Sequence, residues 1–342
     1  MTGGRWKAAS RRFVVRVRSF LARLFRREPA PGRFESGSTS SWRGYVTTAP
    51  LVDPARDYLV YVPRGWTRRK RASLRVMCHG CRETPEEFAA LTGIAARADR
   101  EGTLVLLPRQ TSDANPWTCW NWFEANTERG AGEAAIVAAQ IVDVRRRYRA
   151  RRERVWIAGL SAGGALAAVL ALRYPRLVRG VLVHSGLACG AAKSAATALS
   201  VMRRGPDNDV LRVADDARNA ARPRDDARIA LLVIHGDRDD VVAPVNADAL
   251  VEQFLRFDDS QANAKRPPDR STRTSESGRY KARVDDWLGN GELMVRYVHV
   301  EGLAHAWSGG DGAFDFADPR GPDALAFLAR FVADTARWKA AA

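Results

Sequence analysis

Short runs of β-branched and apolar residues recur along this chain with helix-like stretches between them, and this alternation constrains the fold more than any other feature. The runs are YLVYV (58–62), LRVMC (74–78), TLVLL (103–107), VWIA (155–158), GVLV (180–183) and LLVI (231–234). Helical stretches lie at 85–99, 132–148, 162–173 and 245–256. Runs that are apolar on both faces match strands covered by helices above and below. The pattern predicts a doubly wound, mostly parallel α/β sheet with binding sites at the carboxyl ends of its strands. Thr84-Pro85-Glu86-Glu87 opens the first helix with a capping threonine, a proline at the first helical position and acids in the first turn. Residues 258–278 are polar and aperiodic and read as a surface excursion. RYKARV (279–284) and ELMVRYVHV (292–300) read as a hairpin around GNG, and residues 321–338 as a closing helix.

A chain of 342 residues can bury a large core, and its 46% apolar and 27% charged content is ordinary for a globular protein. No apolar run approaches the roughly 18 residues that a membrane span needs. Net charge is +16, and residues 1–30 alone carry nine Arg or Lys against one Glu. Within that arm, RRFVVRVRSFLARLFRR (11–27) places Phe13, Val14, Val17, Phe20, Leu21, Leu24 and Phe25 on one side of a helical wheel. Most of its arginines fall on the other side. Such a basic amphipathic helix suits a lipid or polymer-granule surface. Arginines interrupt the apolar stretch and no small-residue cleavage site follows, so it does not read as a signal peptide. A cytoplasmic or granule-associated location is therefore expected, with secretion the alternative. Nucleic-acid binding is not expected, because basic residues interleaved with aromatics over a folded face are missing. Residues 28–44 are rich in Pro, Gly and Ser and read as a linker, and the chain divides into the arm (1–30), a linker and entry segment (31–55) and an α/β domain (56–342).

Gly-Leu-Ser-Ala-Gly (159–163) lies where the fourth run meets the helical stretch from 162. A serine at such a strand-to-helix turn sits in strained backbone with its hydroxyl exposed at the end of the sheet, and the flanking glycines let strand and helix approach. Ser161 is thereby a candidate nucleophile, which requires a base and an acid to orient it. In the order Ser, Asp or Glu, His of α/β-hydrolases, the base lies downstream. His235 closes a strand ahead of the acids and His299 lies inside one, whereas His305 occupies a glycine-flanked loop and is the favoured base. Asp237, Asp239 and Asp240 all follow the run at 231–234, and the residue pattern does not separate them. Ala162, after the serine, and Cys81, or its neighbour Arg82, after an earlier strand, are the candidate amides for an oxyanion hole. Cys78, Cys81, Cys119 and Cys189 lack paired zinc spacing and are too few for a disulfide scaffold. One disulfide, Cys81 to Cys119 first, stands against small buried thiols as the alternative.

The blocks HGC (79–81), CWNWF (119–123), RGAGEAA (129–135), GLSAGG (159–164), HGDRDDVV (235–242), HAWSGG (305–310) and DPRGPDA (318–324) together resemble the polyhydroxybutyrate depolymerase family of esterases. That family is related to feruloyl and acetyl-xylan esterases, and the resemblance runs from about Gly44 to Phe331. It implies an α/β-hydrolase fold, with Ser161 matching the family's nucleophile, Asp239 its orienting acid and His305 its general base. The arm has no counterpart in it. Secreted polymer depolymerases of this kind often carry a signal peptide and a substrate-binding domain. Their absence here turns the expectation away from extracellular attack on crystalline polymer.

The implied chemistry is hydrolysis of a carboxylic ester through an acyl-enzyme, requiring no metal or cofactor. The substrate is expected to be a short-chain polyhydroxyalkanoate or its oligomers, with a feruloyl or acetyl-xylan type ester as the alternative. A catalytically idle scaffold that binds granules through its arm is the competing class, and the complete Ser, Asp and His set argues against it. Trp120, Trp122 and Trp307, with Trp117, neighbour the motifs and are candidates for an acyl pocket, with core packing the alternative.

Overall fold

The computed structural model describes residues 30–39, 56–221, 228–258, 269–275, 279–289 and 292–337. The amphipathic stretch at 11–27 and residues 40–55 of the entry segment lie outside the described residues. The strands are β1 (Arg33–Thr39), β2 (Arg56–Val62), β3 (Leu74–Cys78), β4 (Leu104–Pro108), β5 (Val155–Leu160), β6 (Gly180–His184), β7 (Ala230–Gly236), β8 (Arg270–Ser275), β9 (Ala282–Gly289) and β10 (Glu292–Val300). The helices are α1 (Pro85–Thr92), α2 (Ile94–Glu101), α3 (Ala125–Glu128), α4 (Gly132–Tyr148), α5 (Ala162–Arg173), α6 (Ala195–Arg204), α7 (Val210–Ala220), α8 (Val245–Asp258) and α9 (Ala324–Arg337).

The strands form one sheet in the order β1-β2-β4-β3-β5-β6-β7-β10-β9-β8. From β4 to β10 neighbours run parallel. Antiparallel strands extend the sheet at both edges. From β3 the chain passes to β4 on one side and then to β5 on the other, so the strand order reverses between β3 and β5. In open α/β sheets the crevice beyond the carboxyl ends at such a reversal is where ligands bind.

Alternate residues of each central strand feed two apolar layers. Met77, Ala158, Leu182 and Leu232 pack with Phe88 of α1 and Phe331 of α9 on one face. Val76, Ile157, Val181 and Val233 pack with Leu166 of α5 and Phe254 of α8 on the other. Every residue of α5 from Ala162 to Leu172 is buried, which accounts for its uniformly apolar, small-residue sequence. Beyond the sheet, β11 (Trp307–Ser308) and β12 (Ala317–Asp318) make a short parallel pair that anchors the loop after β10. Among the described residues no helix is long and apolar enough to cross a membrane.

Four local expectations change. Arg33–Thr39, assigned to the linker by composition, is a strand paired along its length with β2; at an edge, backbone pairing suffices and most side chains can be polar. For the same reason, part of the presumed excursion at 258–278 is the edge strand β8. The helix read at 85–99 breaks at Gly93, whose φ of +66° caps α1 and restarts the chain as α2. Finally, α6 and α7 fill a region that the sequence had left unassigned.

Candidate active site

Ser161 connects β5 to α5 with φ 54° and ψ −119°, a conformation that costs a non-glycine residue roughly 1–3 kcal/mol. Its N–H donates to the His184 carbonyl at 2.9 Å and its carbonyl accepts the Ala165 N–H at 3.0 Å, so neighbouring elements hold the strained turn in place. The glycines on either side are obligatory. A β-carbon at Gly159 would lie 2.2 Å from the Gly163 carbonyl oxygen, and one at Gly163 would lie 2.2 Å from the Cys78 oxygen.

The turn after β7 brings Asp239 to His305. The His305 Nδ1 lies 3.0 and 2.9 Å from the two carboxylate oxygens, and Asp239 Oδ1 also accepts the N–H groups of Val241 and Val242. His235 Nε2 donates to the Val242 carbonyl at 2.7 Å and lies 3.3 Å from Asp239 Oδ2. Burial alone would raise the Asp239 carboxyl, but its contacts with the His305 and His235 rings outweigh it and hold the group well below the usual carboxylate range. Asp237 and Asp240 are exposed, and Asp237 instead accepts the Gly302 N–H. His299 lies on the hairpin against Asp285, 2.9 Å away, and burial pushes it down to about 4.

His184 was not identified from the sequence. Its carbonyl holds Ser161, while its ring Nε2 accepts the Ser308 N–H at 3.0 Å, three residues beyond His305. One buried residue thus fastens the serine turn to the histidine loop. The ring stacks on Trp307, and burial drives it down to about 3, which keeps it an acceptor. Ser161 and His305 both stand at the carboxyl edge of the sheet, and no hydrogen bond joins the Ser161 hydroxyl to His305 among these described residues.

On the β3 side, Cys81 and Cys119 form a disulfide. The Arg82 N–H is committed to the Trp117 carbonyl at 2.8 Å, which removes Arg82 as a free amide and leaves Cys81. Trp120, Trp122 and Trp307 are all buried; the Trp120 indole donates to the His79 carbonyl, and Trp307 packs edge-on to Phe88. They pack behind the site, whereas Trp117 is 63% exposed beside it. Glu133 accepts from the Gln110 and Asn121 side-chain amides and from the Asn121 N–H, fastening the loop at 119–123 to α4; burial pushes its carboxyl up to about 7. Glu133 sits inside the block at 129–135, so the signal was present in the sequence, although its role was not.

Residues 56–276 match the family described as Esterase PHB depolymerase, a span of nearly two thirds of the chain. The chain belongs to this family. Poly(3-hydroxyalkanoate) depolymerase C of Paucimonas lemoignei is 31% identical over 198 residues, which are 58% of this chain and 47% of that protein. Feruloyl esterase B of Neurospora crassa is 26% identical over 54% of this chain and 64% of its own length. Acetylxylan esterase A of Talaromyces purpureogenus is 22% identical over 64% and 59%, respectively. The chain therefore spans between 47% and 64% of the length of these curated relatives. An acetyl xylan esterase from Aspergillus awamori superposes with a TM-score of 0.64 at 18% identity, covering 79% of this chain and 94% of that one, and establishes the α/β-hydrolase fold. The family match contains Ser161 and Asp239 and stops short of His305, so His305 stands on its contact with Asp239.

Proposed function

We propose that this member of the Esterase PHB depolymerase family hydrolyses carboxylic esters through an acyl-enzyme on Ser161, with short-chain polyhydroxyalkanoates or their oligomers as substrate. The observation that carries the reading is the two-oxygen contact of Asp239 with His305 Nδ1, at the same sheet edge as the strained Ser161 turn. Asp239 keeps the Nδ1 proton in place, which leaves Nε2 free to act as base. The Ser161 hydroxyl adds to the ester carbonyl carbon as its proton passes to His305 Nε2. The negative oxygen is received by the N–H groups of Ala162 and Cys81. Collapse of the adduct expels the alcohol, which takes the proton from His305. Water then attacks the acyl group, gives a proton to His305, and the acid leaves as Ser161 regains its hydrogen. The nearest support for the substrate class is the 31% identity to the Paucimonas lemoignei depolymerase.

The test compares purified wild type with Ser161→Ala on p-nitrophenyl butyrate, 3-hydroxybutyrate oligomers, amorphous polyhydroxybutyrate and methyl ferulate. Turnover should drop by at least about 10⁴-fold in the variant without loss of folding. Serine-dependent release of 3-hydroxybutyrate supports the substrate assignment, and preference for methyl ferulate replaces it with a feruloyl ester. Substantial turnover by the folded variant defeats the mechanism.

A further inference from the structure

Each of the four residues that follow β3, His79 to Arg82, is held by at least one neighbour. His79 Nε2 accepts the Gln110 N–H at 3.2 Å, and because that backbone amide can only donate, the ring proton resides on Nδ1. Nδ1 donates to the Gly80 carbonyl at 2.7 Å. In a trans peptide the C=O and N–H point in opposite directions, so anchoring the Gly80 oxygen aims the Cys81 N–H away from His79. Cys81 is tied to Cys119 and the Arg82 N–H to Trp117.

The remaining grip is on the Gly80 N–H, which donates to Glu83 Oε2 at 2.5 Å. Glu83 is buried, and its Oε1 has no hydrogen-bond partner among the described residues. A β-carbon at Gly80 would stand 3.0 Å from Oε2, a tight contact that glycine avoids. Burial pushes the Glu83 carboxyl up to about 7; the Gly80 N–H pulls it down and Glu87 adds to the rise. A buried carboxylate with only one of its oxygens satisfied is costly.

We propose that Glu83 is a positioning residue for the oxyanion-binding amide: its carboxylate holds the His79–Gly80 peptide while His79 holds the Gly80 carbonyl, and together they point the Cys81 N–H at the ester oxygen. This rests on the ester-hydrolysis reading and on Cys81 as the second donor. Glu83 touches no substrate and acts through Gly80.

The test measures kcat and KM on p-nitrophenyl butyrate and inhibition by an alkyl trifluoromethyl ketone. The ketone carbon bonds Ser161 Oγ, the hydroxyl proton passes to His305, and the negative charge settles on the ketone oxygen. Glu83→Met is close in volume and has no comparable acceptor. Its kcat should fall about 10- to 100-fold and its ketone inhibition constant rise by the same factor, with KM within about twofold, since one oxyanion donor is worth at most about 10²–10³. Glu83→Gln retains an acceptor without the charge and should lose only a few-fold in both. Unchanged kcat and ketone affinity in Glu83→Met, or a loss confined to KM, overturns the proposal. Should Glu83→Met not fold, Glu83→Gln decides: a few-fold loss in both quantities supports the role, and wild-type values overturn it. Ser161→Ala is assayed alongside. Turnover that ignores Ser161 removes the mechanism and this proposal with it, whereas Ser161-dependent turnover indifferent to Glu83→Met removes this proposal alone.

Discussion

Asp239 accepts hydrogen bonds from the His305 ring and two backbone amides, and lies against the edge of a second imidazole, His235. Replacing it with asparagine would put an N–H₂ donor where His305 Nδ1 donates, reversing the tautomer and withdrawing the base. Asp239→Asn is expected to lower kcat on soluble esters by roughly 10³–10⁴-fold. Asp237→Asn, an exposed side chain whose oxygen meets the Gly302 N–H, should stay within about twofold of wild type. Steady-state kinetics on the two variants distinguish them, and equal losses would remove Asp239 from its assigned role. In the sequence these aspartates stand in one turn with the same credentials, and only the family resemblance favoured Asp239. His184 gave no comparable signal, because its partner Ser308 is 124 positions away and nothing local marks a buried imidazole as a clasp.

Among the elements, the loop bearing Trp117, Cys119 and Trp120 is a template for the turn after β3, since each contributes one grip on it. The disulfide spans 38 positions, for which loop-closure entropy suggests about 4 kcal/mol of stabilisation. Cys119→Ser, or reduction by dithiothreitol, should therefore lower both the urea midpoint and kcat. Loss of stability with unchanged kcat would show that the remaining grips on the turn suffice. The central strands were legible because burial on both faces leaves an apolar signature that composition alone reveals. The edge strands β1 and β8 were not, because half of an edge strand's environment is water and its pairing is carried by backbone atoms that any residue supplies. Gly93 was passed over for a related reason: one residue in the left-handed region ends a helix without disturbing the apolar periodicity on either side.

At the scale of the whole molecule, the buried His184 makes stability depend on acidity. Its ring titrates near 3 in the folded chain against an ordinary 6.5, so the unfolded chain takes up the proton first. The stability supplied by the neutral ring is present above pH 6.5 and drains away as pH falls toward 3, at up to about 1.4 kcal/mol per unit. His184→Gln retains an acceptor for the Ser308 N–H and has no such proton to bind. The stability gap between wild type and this variant, read from urea denaturation, should narrow by about that amount per unit between pH 6.5 and 4.5. A constant gap would show that folding does not weaken proton binding by the ring over this range.

The same residue also bears on how the molecule is made. Synthesis delivers the Ser161 turn first, then the β6 carbonyl that steadies it, and only about 120 residues later the loop whose amide docks on the His184 ring. On the proposed mechanism, a chain made only as far as residue 304 has its nucleophile and the β6 carbonyl that steadies it but no base. Ester cleavage would then switch on only once the loop carrying His305 and Ser308 has been made and has docked on the His184 ring.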